Sequence, residues 1–269
     1  MKLQALELTL GWLYPNLMST YGDRGNVICL QRRCQWRGLD VRIKALDQQT
    51  NADEFQRVDL LIGGGAQDRQ QEIVMRDLRG DKATILKEKI AAGTPGIFTC
   101  GSPQLLGHYY EPALGQRIEG LGLFDLTTVH PGTKAHRCIG NLVIQVTAGR
   151  LAKELTAILG DACPYLIGFE NHGGRTQLGQ VEALAQVLYG YGNNGKDGTE
   201  GAFYRNAIAT YSHGPVLPKN PFLADWLLQT ALAEKYQEAI LLPALDDSLA
   251  MQAREAMFQR LGIDRGKTP

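Results

Sequence analysis

One cysteine and two histidines carry the chemistry this sequence offers. Cys100 stands between the apolar run Gly96-Ile97-Phe98-Thr99 and Gly101-Ser102-Pro103-Gln104-Leu105-Leu106-Gly107, where the pattern changes to helical spacing. Strand, sharp turn, helix is an order that pushes a side chain out at the carboxyl edge of a sheet, beside a helix N-terminus that stabilises negative charge. A thiol placed there ionises more readily than a free one, and the Gly101 N–H can face an oxyanion on a carbonyl carbon attacked by Cys100. The plain structural reading stands beside this one, because a free cysteine at a strand end is more often core than catalyst. Chemistry needs a base. His108 lies near the end of the helix after Cys100, and His130 and His136 flank the loop Pro131-Gly132-Thr133-Lys134. His213, ending the apolar run 207–211 before Gly214-Pro215, and His172, in Phe169-Glu170-Asn171-His172-Gly173-Gly174-Arg175-Thr176, each follow a strand pattern. Composition does not separate them, and either could hold a thiolate–imidazolium pair with Cys100. Neither is followed two residues later by an acid, so Asp23 or Asp225 could orient the ring only if the fold brings it close. Glu170, His172 and a distant cysteine lack metal-ligand spacing, and no metal is expected.

The elements that must position these groups read as α/β. Residues 5–13 form a strand. A helical pattern from Val27 to Trp36 stops at Gly38, with Asp23 or Asn26 as its commonest reading, a cap. Residues 39–46 alternate as a strand. Val58-Asp59-Leu60-Leu61-Ile62 is a buried strand that runs into Gly63-Gly64-Gly65-Ala66-Gln67-Asp68, whose free N–H groups could come beside the Cys100 turn. The turn has neither a Walker loop nor dinucleotide-fingerprint spacing. A helix follows, broken near Gly80. Two strand–turn–helix units with their loops at one edge predict a predominantly parallel central sheet flanked by helices, with the site at the carboxyl ends of its strands. Beyond Gly107 the pattern is of short strands, at 123–129, 138–146, 165–170 and 204–211; hairpins or an antiparallel extension account for them equally. The glycine-rich stretch 191–201 has the composition of an exposed connection. Helices at 222–240 and 244–261 are separated by Pro243.

A chain of 269 residues with 44% hydrophobic content fills one sizeable core, and 28 basic against 28 acidic residues leave no overall field to attract nucleic acid. Five scattered cysteines form neither a disulfide framework nor zinc-ligand pairs, the N-terminus is too mixed for a signal peptide, and no apolar run reaches membrane-spanning length. A reducing, cytoplasmic setting is expected.

Five stretches, taken in order, resemble the class I glutamine amidotransferases of the cobyric acid synthase-like group: Tyr21-Gly22-Asp23-Arg24-Gly25-Asn26, Gly63-Gly64-Gly65 with Gln67-Asp68, Cys100 through Gly107, Gly168 through Thr176, and His213-Gly214-Pro215-Val216-Leu217-Pro218-Lys219-Asn220-Pro221. They extend over most of the chain, and their order and combination carry the specificity. Within the group the similarity is greatest to the branch that serves as glutaminase subunits of bacterial lipid II isoglutaminyl synthases. The resemblance implies a class I amidotransferase-like α/β fold with an antiparallel extension, residues 1–240 forming the glutaminase domain and 241–269 a helical tail packed on it. It makes Cys100 the nucleophile and His213, not His172, the base. Gly65 and Gly101 would give oxyanion N–H groups, and Asp23, Glu170 and Asn171 would support the site. The His-x-Glu ending of most class I members is absent, which leaves the third triad member open. An arginine should receive the α-carboxylate of glutamine. Arg137 is the positional match and Arg175 the rival. The implied chemistry hydrolyses L-glutamine through a cysteine thioester and passes ammonia to a Mur ligase-like subunit that amidates D-glutamate of the lipid II stem peptide at the inner face of the membrane. No cofactor is expected on this chain; ATP and Mg would belong to the partner. The alternatives are a stand-alone cysteine hydrolase and an amidotransferase-like binding module without activity.

Overall fold

Strands buried on both faces must be apolar along their length, and that character sets the middle of this fold. The computed structural model describes residues 6–20, 22–160 and 162–263; Tyr21 of the first quoted motif, residues 1–5 and the end of the helical tail lie outside the described residues. The first part of the chain alternates as predicted, with the short α2 as an addition: β1 (Glu7–Leu13), α1 (Arg24–Trp36), β2 (Asp40–Leu46), α2 (Ala52–Gln56), β3 (Leu60–Gly63), α3 (Asp68–Asp77), α4 (Asp81–Ala91), β4 (Gly96–Thr99) and α5 (Gly101–Leu106). Shorter elements follow: β5 (Tyr109–Glu111), β6 (Ile118–Glu119), β7 (Leu126–Val129), β8 (Cys138–Val146), α6 (Gly149–Ile158), β9 (Tyr165–His172), β10 (Arg175–Leu178), β11 (Ala185–Tyr189), β12 (Thr199–Glu200), β13 (Ala202–Tyr204) and β14 (Ala207–Thr210). The helices α7 (Val216–Lys219), α8 (Pro221–Tyr236) and α9 (Ser248–Leu261) close the described chain.

The central sheet has six strands in the order β13-β14-β4-β3-β1-β2, parallel throughout except for β13 at one edge. Its middle strands β3, β4 and β14 are buried at every residue. Side chains alternate between two cores: Leu60, Ile62, Ile97 and Ile208 meet Leu30 of α1 and Leu227 and Leu228 of α8. Leu61, Phe98 and Ala209 meet Val74 of α3, Leu86 and Ile90 of α4 and Leu105 of α5. Helices thus cover both faces, as a parallel sheet requires.

The run 204–211, expected among the short strands, is not one strand. It bends at Arg205, whose φ is 57°, and only its second half is β14, which lies parallel to β4 in the central sheet. Periodicity reports that a run is buried and extended, but not which strand it pairs with. Two four-stranded sheets, β10-β7-β5-β6 and β12-β11-β8-β9, form the extension; the second is antiparallel throughout and the first contains the parallel pair β5–β7. At the far end of the chain, α9 sets Phe258 against Val143, Tyr165 and Ile167, and Arg254 Nη2 donates to the Tyr165 carbonyl at 2.8 Å.

Candidate active site

Because β3, β4 and β14 are parallel neighbours, the chain leaves all three at one edge, and the Gly63–Ala66 turn, Cys100 and His213 emerge there together. Cys100 has φ 54° and ψ −99°, a conformation that costs a non-glycine residue about 1 kcal/mol or more and is held by what surrounds it. Its N–H donates to the Thr210 carbonyl at 2.9 Å, which extends the β4–β14 ladder by one residue. The backbone here leaves little room for a side chain. A Cβ on Gly101 would stand 3.0 Å from the Ala66 nitrogen, and one on Gly64 would strike the Met18 carbonyl. Cys100 is nearly enclosed, at 6% exposure.

His213 is buried, and its backbone is pinned by an antiparallel bridge to Phe169, where its N–H donates to the Phe169 carbonyl at 2.6 Å. Its Nδ1 lies 3.8 Å from Oδ1 of Asp23. Burial disfavours the charged ring, but the charges of Cys100 and Asp23 more than reverse this and raise the His213 pKa to about 10. Cys100, His213 and Asp23 therefore converge, whereas Asp225 is spent elsewhere, 2.6 Å from Arg33 and 2.7 Å from Arg37.

Asp23 and Asn26 do not act as the helix caps expected of them. Asp23 occupies the N-cap position of α1 without a capping bond. Its Oδ2 accepts the Gly65 N–H and its Oδ1 the Thr99 hydroxyl, both at 2.8 Å. Asn26 Oδ1 accepts the Leu217 N–H at 3.0 Å. A local cap signal cannot anticipate such a partner far along the chain. The bond from Gly65 bears on the oxyanion expectation too, since its amide proton is engaged by Asp23; the neighbouring Ala66 amide is the one beside Gly101.

His172 has a different setting. Its ring stacks on Tyr211 at 3.7 Å, Nδ1 is 2.9 Å from the Gly174 carbonyl, and Nε2 is 3.3 Å from Glu170. Burial lowers its pKa. Glu170 in turn accepts the N–H groups of Tyr191 and Gly192 at 2.6 and 3.0 Å, so the glycine-rich stretch is anchored at its start; Gly192 and Asn193 are buried, while Tyr191 and residues 195–198 are exposed. Glu170 thus ties this stretch to β9.

A cavity of about 470 Å³ opens onto Cys100, with Ala66, Gln104, Arg137, Asn171 and His172 among its walls. Arg137 reaches it with its fork fixed, Nε and Nη2 each donating to Asn171 Oδ1 at 3.1 Å. Arg175 is not in this wall. Its Nη1 donates to the carbonyls of Gly173 and Gly174, its Nη2 bonds the His136 carbonyl, and it borders a separate groove with Lys196. Of the further lining residues, Gln71 and Tyr110 were not noted from sequence, Asp68 entered only within the glycine-turn stretch and His130 only as a loop histidine, none with a role in the site. Asp68 and Gln71 could have been given one, because they follow the glycine turn within the first helical turn of α3, at the same edge as Cys100.

With this geometry in view, residues 9–221 match the CobB/CobQ-like glutamine amidotransferase domain. The chain belongs to that family. It is 35% identical over 254 residues, 94% of this chain and 96% of the other, to the lipid II isoglutaminyl synthase (glutamine-hydrolyzing) subunit GatD of Staphylococcus aureus (strain N315). Against the subunit of the same name from Streptococcus pneumoniae (strain ATCC BAA-255 / R6) it is 36% identical over 250 residues, 93% of this chain and 90% of that one. The crystal structure of a glutamine amidotransferase superposes with a TM-score of 0.54 at 15% identity, over 82% of this chain and 98% of that one, which shows a shared fold.

In this CobB/CobQ-like amidotransferase all five cysteines are free, and among the described residues no cluster of three or more His, Cys, Asp or Glu is arranged to hold a metal ion. No described helix is long and apolar enough to cross a membrane. A larger cavity of about 840 Å³ lies between α6, α8 and the segment leading into α9, but none of the described residues lining it is a cysteine or histidine. Cys100, Arg137 and His172 line the smaller cavity.

Proposed function

We propose that this chain is the glutaminase subunit of a lipid II isoglutaminyl synthase, with residues 1–240 as the glutaminase unit and 241–269 packed on it. The observation that carries the reading is the alignment of Cys100, His213 and Asp23 at the sheet edge, under a cavity that Arg137 enters. Similarity to two GatD subunits along nearly the whole chain supports the choice of acceptor pathway. Arg137 takes the α-carboxylate of L-glutamine through Nη1, its Nε and Nη2 being held by Asn171. The Cys100 thiolate attacks the side-chain amide carbon, and His213, turned by Asp23 through Nδ1, holds the thiol proton and gives it to the departing ammonia. The oxyanion takes the Gly101 N–H, with Ala66 as second donor in place of Gly65, whose role becomes to hold Asp23. Water then attacks the glutamyl thioester; its proton passes to His213, and glutamate leaves as the thiolate is restored. Glu170 and Asn171 support the site at one remove, Asn171 by fixing Arg137.

Ammonia needs an acceptor activated on another chain. A Mur ligase-like partner binding ATP and Mg would activate the D-glutamate α-carboxylate of lipid II, at the cytoplasmic face of the membrane. The test mixes both purified subunits with ATP, glutamine and lipid II and follows amidation by mass spectrometry. Glutamine-dependent amidation that Cys100→Ala abolishes and free ammonia restores is the expected result. A wild-type chain that forms no complex and adds nothing to amidation overturns the assignment and leaves a stand-alone cysteine hydrolase, if glutamate is still released, or an inactive binding module, if it is not.

A further inference from the structure

Glutamine is a zwitterion, and a cavity that selects it must meet a cation as well as an anion. Arg137 answers to the carboxylate, and the groups described so far leave the α-ammonium unanswered. Asp68 is the single carboxylate among the described residues lining the Cys100 cavity, as Arg137 is the single guanidinium. It is half-buried in the first turn of α3, on the segment that leaves β3 beside Cys100, and its Oδ1 accepts the Tyr110 hydroxyl at 2.9 Å. Burial, with the Asp68 charge added, holds the Tyr110 hydroxyl well above its ordinary pKa, so it stays a donor and keeps the carboxylate oriented.

Of the other buried polar side-chain atoms of the wall, Gln71 Oε1 has no hydrogen-bond partner, but it is a neutral acceptor and brings no charge to match an ammonium. Gln71 Nε2 is spent on the Ala66 carbonyl and on Gln104 Oε1, at 3.1 and 2.9 Å, which also occupies the Gln104 oxygen. The Gln104 amide nitrogen donates to Tyr211. His130 shares the wall with both charges: burial lowers its pKa first, Arg137 and Arg175 lower it further, and Asp68 opposes them. Its ring is thus neutral at pH 7 and leaves the Asp68 charge unmatched. The cavity presents one fixed anion and one fixed cation on its walls, which is the charge pattern of a free α-amino acid end.

We propose that Asp68 binds the α-ammonium of glutamine, so that the site accepts the free amino acid and rejects peptide-bound or deaminated glutamine. The proposal rests on the glutaminase reading and deepens it. It assigns Asp68 to binding and not to the thioester chemistry, so its loss should appear in KM and in substrate discrimination more than in kcat.

The experiment uses the full chain in complex with its ligase and compares L-glutamine with glutaramate, which has the same carboxamide and carboxylate but no α-ammonium, and with N-acetylglutamine. Wild type should prefer glutamine to both. Asp68→Asn keeps the oxygen that meets Tyr110 but loses the charge; it should raise the glutamine KM about tenfold or more, the worth of one charge-assisted hydrogen bond. Its kcat/KM for glutaramate should be unchanged, which also reports an intact fold, so that discrimination collapses. Tyr110→Phe should fall between the two. A wild-type glutamine-to-glutaramate ratio retained in Asp68→Asn overturns the proposal while the glutaminase reading stands. Failure of the wild-type complex to hydrolyse glutamine overturns both.

Discussion

Asp23→Asn separates the orienting role of this carboxylate from its structural one. The Gly65 N–H, at 2.8 Å, cannot turn away, so the substituted amide must keep its oxygen there and place its NH2 where Oδ1 was, toward Thr99 and His213. Thr99 adapts, because its hydroxyl is already 3.3 Å from the Gly63 carbonyl and can donate there while accepting from the new N–H; the fold should lose only about 1 kcal/mol. The cost falls on His213. Its Nδ1 would face a donor, the tautomer with a proton on Nε2 would be favoured, and the thiol would lose its acceptor. The charge is lost too: an opposite charge 3.8 Å from the ring no longer favours the imidazolium, a smaller contribution than that of Cys100 but in the same direction. Since Asp23 raises the His213 pKa, its removal lowers it, and the thiolate–imidazolium pair becomes scarcer at neutral pH. We expect kcat for glutamine hydrolysis to fall on the order of a hundredfold or more. The pH profile of Cys100 alkylation by iodoacetamide should move upward, and thermal unfolding should stay near wild type. Near-native kcat with a superimposable alkylation profile would refute the orienting role and leave Asp23 as a brace for Gly65 and Thr99.

Arg137→Lys keeps the positive charge but not the fork fixed on Asn171, so kcat/KM for glutamine should fall about tenfold; an unchanged value would point to a backbone carboxylate site. Glu200, fully buried, accepts the Thr210 hydroxyl at 2.9 Å and the Tyr211 N–H at 2.6 Å through Oε1, and burial pushes its pKa up to about 7 from the ordinary 4.5. The folded state then holds this proton more tightly than the unfolded chain, so its contribution is full below about pH 4.5 and is lost as pH rises through about 7, a difference of about 3 kcal/mol. Glu200→Gln keeps Oε1 and cannot ionise, so urea unfolding at pH 5 and pH 8 should show the variant gaining on wild type by that order; parallel behaviour would rule out the titration.

Much of this protein is local in character and legible along the chain. Apolar runs closed by Gly63 and Cys100 mark strand ends, the break at Gly80 separates two helices, and the sharp turn at Cys100 follows from a strand that must become a helix within one residue. These depend on backbone preferences and burial, which act within a few residues. The partners across the sheet do not. Nothing near Asp23 says that its carboxylate reaches Gly65 and Thr99 instead of capping α1, and nothing near 204–211 says that half of it enters the central sheet beside β4 and so delivers His213 to Cys100. His172 and His213 look alike in sequence because each ends a buried strand. They differ because β14 is hydrogen-bonded to β4, while β9 pairs with β8 and leaves His172 stacked on Tyr211. Which side chains share a cavity is fixed by strand order, and strand order is a property of long-range pairing energy summed over the whole sheet, which no single segment encodes.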